Sequence, residues 1–334
     1  MHCKGAEIVM GKCLLPFTID VEMRAYQNKA FPLGIIKANI ADYDVWLCNK
    51  LINCVINPTD YGINAIDDDL WSEKVGLTHN ESLFLKREEF NQKNPDIIAK
   101  NIEMLEQGRY IIGVYDEFFI PGKGVYQKRH FNHDYVIFGY DDEEGVFKSA
   151  AYMADRSYRI YDITYEDYYN SIAKSEYDYW VCYRKIDKLY VPKVDIVHIK
   201  KKLENYFLSR EDDNASNRQV FGMEAWGKFG EYVQEIGDSK LDNRYARLYM
   251  EHRNIMVKRM RKLNEMGFLN DSSLTEEYHR NVYLPAQAVH HLFIKYNLIR
   301  DHKVRQRILG TILKTNETEE RIIGRMLERM KIEC

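Results

Sequence analysis

The stretch Gln127 to Phe147, QKRHFNHDYVIFGYDDEEGVF, admits few folds. HDYVIFGY alternates with the period of a half-buried strand, DDEEG supplies polar turn residues, and VFKSAAYM resumes the alternation. Two such runs joined by so short a turn must pair antiparallel, because a parallel partner needs a crossover of a dozen residues or more. Gly145 closes the turn, where a left-handed backbone angle is expected. RYIIGVYDEFFIP on one side, stopped by Pro121-Gly122, and SYRIYDITY and YDYWVCYRKI on the other continue the pattern. About three to five antiparallel strands are therefore predicted over roughly 109–187.

Elsewhere the spacing is helical. NPDIIAKNIEMLEQ carries Ile98, Ile102 and Leu105 on one face, with Pro95 near its start and Gly108 at its stop. Further helices are expected from Gln27 to Ala38 and from Asp44 to Ile56, the second ended by Asn57-Pro58. After Val191-Pro192-Lys193 the pattern holds long polar helices and no convincing strand. Tyr249, Met256, Met260 and Leu263 recur at helical spacing up to Gly267, YLPAQAVHHLFIKYNLI and TEERIIGRMLERMKI repeat the signal, and Thr315 is a candidate start for the last helix. The prediction is an α+β fold: an N-terminal domain over 1–190 with an antiparallel sheet, and an all-α domain over 191–334.

Composition narrows the class. The chain has 334 residues, 45% hydrophobic and 30% charged, with a formal charge of −3, so no net basic field favours nucleic acid. No apolar run is long enough to span a bilayer, and MHCKGAEIVMGK lacks the features of a signal peptide. A cytoplasmic protein without membrane or nucleic-acid partners is expected. Cys3, Cys13, Cys48, Cys54, Cys182 and Cys334 show neither paired nor zinc-finger spacing and are expected as reduced thiols.

His133 heads the alternating strand and has two readings: a hydrogen-bonded structural residue, or a general base at the mouth of a sheet serving a thiol. A thiol needs such a partner because only the thiolate attacks well, and a helix N-terminus lowers its pKa further. His130 and His133 alone make a poor metal pair, and no metal is expected.

HDYVIFGYDDEEGVF resembles the strand–turn–strand of papain-fold enzymes of the bacteriocin-processing-peptidase type, in which a catalytic histidine heads the strand ending in GYDD. LLPF, WLCNKLINCVINP and YDEFFIPGKGVYQKRHFNHDYVIFGYD, with a helical C-terminal half, are similar to butirosin biosynthesis protein H and its relatives. The resemblance implies a papain-like N-terminal domain. It also implies a cysteine acyltransferase of thiotemplated antibiotic biosynthesis, moving an acyl or aminoacyl group from a carrier-protein thioester to an amine. Its partners would be an acyl or peptidyl carrier protein and a small amine. It would need no cofactor of its own, the acyl group arriving on the partner's phosphopantetheine. Cysteine peptidase and non-catalytic ligand-binding protein are the alternatives.

In that family the cysteine follows a Leu-Pro pair by about ten residues and precedes an apolar helix. Counting from Leu15-Pro16 leads to Ala25. Either this copy has lost its nucleophile or a cysteine has been replaced, and the intact surrounding pattern favours replacement. Cys13 is the next candidate nucleophile, ahead of Cys48 and Cys54. Backbone N–H groups at the helix start are expected to hold the oxyanion. For the carboxylate that orients the imidazole, the family position maps near Ser149-Ala150, where none occurs, so Asp116 in VYDEFF is preferred over Asp134 and Asp155. Tyr26, Gln27, Lys123 and Lys128 are expected to contact substrate, the two lysines from a flap over 120–128 that meets an acidic partner.

Overall fold

A computed structural model describes residues 7–9, 11–57, 62–66, 70, 76–210, 219–237 and 239–332. Cys3, Cys334 and Pro58 lie outside these. In chain order the first elements are β1 (Glu7–Val9), β2 (Lys12–Leu14), α1 (Gln27–Asn39), α2 (Tyr43–Cys48), β3 (Asn53–Asn57), β4 (Gly62–Ile66) and β5 (Leu77–Leu85). There follow α3 (Arg87–Lys93), α4 (Ile97–Glu106), β6 (Arg109–Asp116), β7 (Asn132–Asp141), β8 (Val146–Tyr152), β9 (Tyr158–Thr164), α5 (Tyr165–Ala173) and β10 (Tyr179–Ile186). The rest is α6 (Ile196–Phe207), β11 (Val220–Phe221), α7 (Gly222–Glu235), α8 (Asn243–Glu265), α9 (Ser272–Tyr278), a π-turn (His279–Tyr283), α10 (Leu284–Ile299) and α11 (His302–Arg329).

The chain divides into two compact units. One takes Met1–Val21, Tyr26–Ala41 and Asp69–Val191; the other takes Glu22–Ala25, Asp42–Asp68 and Pro192–Cys334. The second thus draws two pieces from the half that the sequence reading assigned wholly to the first.

The first unit is built on an antiparallel sheet in the order β1-β2-β7-β6-β10-β5, with β8 on β7 and β9 on β8. The β7–β8 hairpin closes as its sequence requires. Asp141 pairs with Val146 and its carboxylate accepts the N–H groups of Glu143 and Glu144, while Gly145 takes φ 64°. Tyrosines fill one face of the sheet. Tyr115 stacks on Tyr135 with centroids 4.9 Å apart, and the Tyr135 and Tyr168 hydroxyls lie 2.7 Å apart. Asn101 donates to the Tyr168 hydroxyl and accepts from Tyr183, so these buried phenols are satisfied rather than orphaned. Helix α1 is buried along Ala30, Phe31, Leu33, Ile35 and Ile36, which explains its weak amphipathic signal. At Gly34 a Cβ would stand 2.5 Å from the Thr18 carbonyl oxygen, so only glycine lets the helix lie this close.

The second unit is mostly helical but not wholly. β11, β3 and β4 form an antiparallel sheet whose central strand, β3, falls in the segment expected to be helix over 44–56, and whose β11 lies in the half expected to be all-α. Helix α2 ends at Cys48 and Leu51 takes φ 56°, which no continuing helix allows; Val55 and Ile56 then pair on both sides. Nor does a helix start at Thr315. Its hydroxyl donates to the Thr311 carbonyl inside α11, which runs unbroken. The core centres on a buried Arg253–Glu319 ion pair. Glu319 also accepts the hydroxyls of Tyr206 and Tyr278, and the Arg253 guanidinium lies 3.5 Å from the Tyr249 ring centre.

Beside this pair His252 is fully buried, its Nε2 2.9 Å from the Ile52 carbonyl oxygen. Burial, with the neighbouring Arg253 charge, lowers its pKa from 6.5 to about 3. The unfolded chain therefore takes up a proton near pH 6.5 that the folded one refuses until about pH 3, and stability falls as pH falls through that window. Urea unfolding followed by circular dichroism should show His252→Gln losing about 2 kcal/mol less than the parent between pH 6.5 and 5. Equal losses would show that His252 is not the titrating group.

Candidate functional site

The site grows from the register of β6 and β7. Tyr115 lies directly opposite His133 and Asp116 opposite Asn132. Because side chains alternate, Tyr115 and His133 share a face and Asp116 points to the other. The expected Asp116–His133 contact is therefore absent, and Asp116 leaves the candidate site. Its fully buried carboxylate instead accepts the N–H groups of Phe118 and Phe131 at 3.0 Å, and Oδ2 meets His130 Nδ1 at 2.6 Å. The His130 ring stacks on Phe118 at 4.3 Å. Asp116 thus caps the 3-10 turn Glu117–Phe119 and ties it to the approach to β7.

That turn carries Glu117 round to the histidine. Glu117 Oε1 lies 2.8 Å from His133 Nδ1 and 3.1 Å from Lys123 Nζ. Burial pushes the Glu117 carboxyl up, but the hydrogen bond with His133 and the Lys123 ammonium outweigh it and hold the pKa below its usual value. The Glu117 carboxylate is an acceptor facing Nδ1, which favours a proton on that nitrogen; in the neutral imidazole Nε2 would then be the basic nitrogen.

Lys123 was expected to meet substrate. It is buried instead: its ammonium donates to the Tyr152 carbonyl and lies 5.7 and 5.2 Å from the ring centres of Tyr115 and Tyr161. Successive turns hydrogen-bond the loop over 120–128 to itself and to Phe118, and only Lys128 of the two lysines is exposed. Asp155 is exposed and occupied by Ser157 and Arg159.

Gln27, the first residue of α1, completes the cluster. Its Nε2 is 3.3 Å from each His133 ring nitrogen, and it donates to the Asp134 carbonyl at 2.7 Å and to Asp134 Oδ1 at 2.9 Å. The side chain is buried, yet its Oε1 has no hydrogen-bond partner among the described residues. Asp134 itself comes within 3.3 Å of His133 Nε2, although strict alternation in a strand would turn it away. Tyr26, half-buried, precedes Gln27 as the helix cap, and its carbonyl accepts from Lys29 and Ala30.

Ala25 belongs to the second unit and is buried. Its N–H, with that of Arg24, donates to Glu251 Oε2 at 2.9 and 2.8 Å, while Arg247 holds Oε1. The Ala25 N–H, two residues ahead of the α1 start where oxyanion donors were expected, is thus already engaged by a carboxylate. Burial raises the Glu251 pKa against the pull of Arg247 and the two N–H groups.

Among the described cysteines none resembles a nucleophile. Cys13, Cys48, Cys54 and Cys182 are buried, and burial raises every thiol, to about 11 at Cys13 and Cys48. Cys13 pairs with Tyr140, seven residues along β7 from His133 and so about 23 Å away, which removes it as a partner. Among the described residues no group of three or more His, Cys, Asp or Glu could hold a metal, and no helix is long and apolar enough to cross a membrane.

Glu117 escaped the sequence reading because its neighbour Asp116 lay closer to the strand end; only the 3-10 turn distinguishes them. Compared with protein-family models and with curated proteins, the chain matches none.

The two carboxylates should separate in experiment. Asp116→Ala strands two part-buried N–H groups and is expected to cost about 2–4 kcal/mol in chemical unfolding. Glu117→Gln keeps an acceptor for Nδ1 but leaves the buried Lys123 ammonium without its counter-charge, so it is expected to cost about 3–5 kcal/mol, much of it recovered in Glu117→Gln/Lys123→Met. An Asp116→Ala cost below about 1 kcal/mol, or no recovery in the double variant, would show that the roles are misassigned.

Proposed function

We propose that this protein is a papain-like cysteine acyltransferase fold whose nucleophile position is Ala25, built to pass an acyl or aminoacyl group from a carrier-protein thioester to an amine. The observation that carries the reading is Gln27. It lies two residues after Ala25, and two residues span at most about 7 Å of chain. Its amide reaches the His133 imidazole, which Glu117 orients through Nδ1. A thiol on the Ala25 carbon would therefore stand close along the chain to a ready base, just ahead of the α1 N-terminus, whose dipole favours a thiolate.

In the proposed cycle Nε2 of His133 takes the thiol proton and the thiolate attacks the thioester carbonyl. The carrier thiol leaves with a proton, and His133 then deprotonates the amine that resolves the acyl-enzyme. With the Ala25 N–H held by Glu251, the Gln27 amide is the side-chain donor beside His133, and it would have to leave the Asp134 carbonyl or carboxylate to meet the oxyanion. The chain as it stands carries alanine and no activated thiol among its described residues, so it binds without turning over. That observation favours a ligand-binding protein as the second reading.

Ala25→Cys distinguishes them. The variant should be alkylated by iodoacetamide near neutral pH and gain the acyl mass from an acyl-carrier thioester, read by intact mass spectrometry. Adding His133→Ala should slow acylation at least about 100-fold, and His130→Ala far less. An introduced thiol that stays inert to both reagents would leave the ligand-binding reading, and an acyl-enzyme that hydrolyses in the presence of amine would point to a peptidase.

A further inference from the structure

The helical unit holds a cavity of about 550 Å³ between the π-turn region and α11. Its shape begins with Pro285. Proline has no N–H to return to the carbonyl four residues back, and its ring crowds that carbonyl. The chain widens there: the N–H of Leu284 bonds the His279 carbonyl, five residues back. Such single π-turns are frequent at functional sites. Five residues apart in a regular helix, Arg280 and Pro285 would diverge by about 140°. In the wider turn both line the same cavity.

The facing wall is one stripe of α11. Arg307, Gly310, Lys314 and Arg321 fall at helical spacing, the three cations seven residues apart and so separated by about 10 Å along the axis. Among the described residues no carboxylate lines the cavity. Arg321 is held by Glu277 at 2.8 Å, whereas Arg280, Arg307 and Lys314 have no acidic partner among the described residues. The three unpaired like charges around one concavity repel, and no carboxylate among the described lining residues offsets them. Gly310 keeps the floor bare. A Cβ there would meet nothing within 4 Å, so the glycine, unfavourable in mid-helix, preserves volume rather than relieving a clash.

We propose that this cavity binds a small organic anion carrying more than one phosphate group. Guanidinium forks match phosphate oxygens, and cations about 10 Å apart suit charges distributed along a ligand rather than a single ion. A concave volume of this size is typical of small-molecule sites, whereas an acidic protein partner would need a broad surface of roughly 800 Å². The inference is independent of the acyl-transfer reading.

Isothermal titration of the full chain with sodium pyrophosphate and with tripolyphosphate, at low and at moderate sodium chloride, tests it. Saturable one-to-one binding with Kd below about 1 mM at low salt is expected, weakening as salt rises. Arg307→Gln/Lys314→Gln should weaken it at least about 10-fold. Gly310→Leu, which keeps every charge and suits the helix, should do the same by filling the floor, with circular dichroism confirming that both variants fold. Absence of saturable binding to the parent chain, or equal binding by either variant, overturns the proposal. So does sulfate binding as tightly as pyrophosphate, which would reduce the cavity to a single-ion site. Tighter binding by a polyglutamate peptide would assign it to an acidic partner instead.

Discussion

The antiparallel register between β6 and β7 decides what the histidine can touch. With Tyr115 opposite His133, alternation sends the Asp116 carboxylate to the far face, where it caps the 3-10 turn and holds His130. The same turn brings Glu117 back to Nδ1 of His133. A register slip of one residue would exchange the faces of every side chain on the strand, undoing both contacts at once. Two adjacent acids thus have opposite employments, one holding backbone and one holding an imidazole.

Charge neutralisation follows from that placement. Glu117 is buried, and a buried carboxylate survives ionised only with partners. His133 supplies one and Lys123 the other, and Lys123 is itself stabilised by aromatic faces and a carbonyl. The lysine therefore acts through Glu117 on the histidine's tautomer rather than on anything in solution. The helical unit solves a similar problem with Arg253 and Glu319, whose further hydrogen bonds go to tyrosine hydroxyls, the Tyr249 carbonyl and Asn316. Breaking such a pair on one side leaves a bare buried charge, at a cost of about 3–5 kcal/mol. Much of the chain's abundance of tyrosine serves these two cores, where a ring packs and its hydroxyl satisfies a polar neighbour.

Glu251 constrains the proposed chemistry. A carboxylate on the N–H groups of Arg24 and Ala25 fixes the backbone ahead of α1, and it also occupies a donor that an oxyanion would use. The amide of Gln27, buried and with an oxygen that has no partner among the described residues, is accordingly the most informative side chain beside His133.

The sequence by itself determined the elements whose cause is local. The β7–β8 hairpin followed from alternation and a glycine turn, α4 from its apolar stripe, and α8 from its spacing and terminal glycine. His133 was legible because it heads a strand of unmistakable period. What only the tertiary structure decided depends on non-local pairing. NCVIN became a strand because β4 and β11 flank it, and Thr315 lies inside a continuous helix because its polar side chain bonds back to Thr311. Asp116 and Glu117 are equivalent acids in one dimension. Strand register and a single tight turn give them different partners, and neither is written in the spacing of the residues.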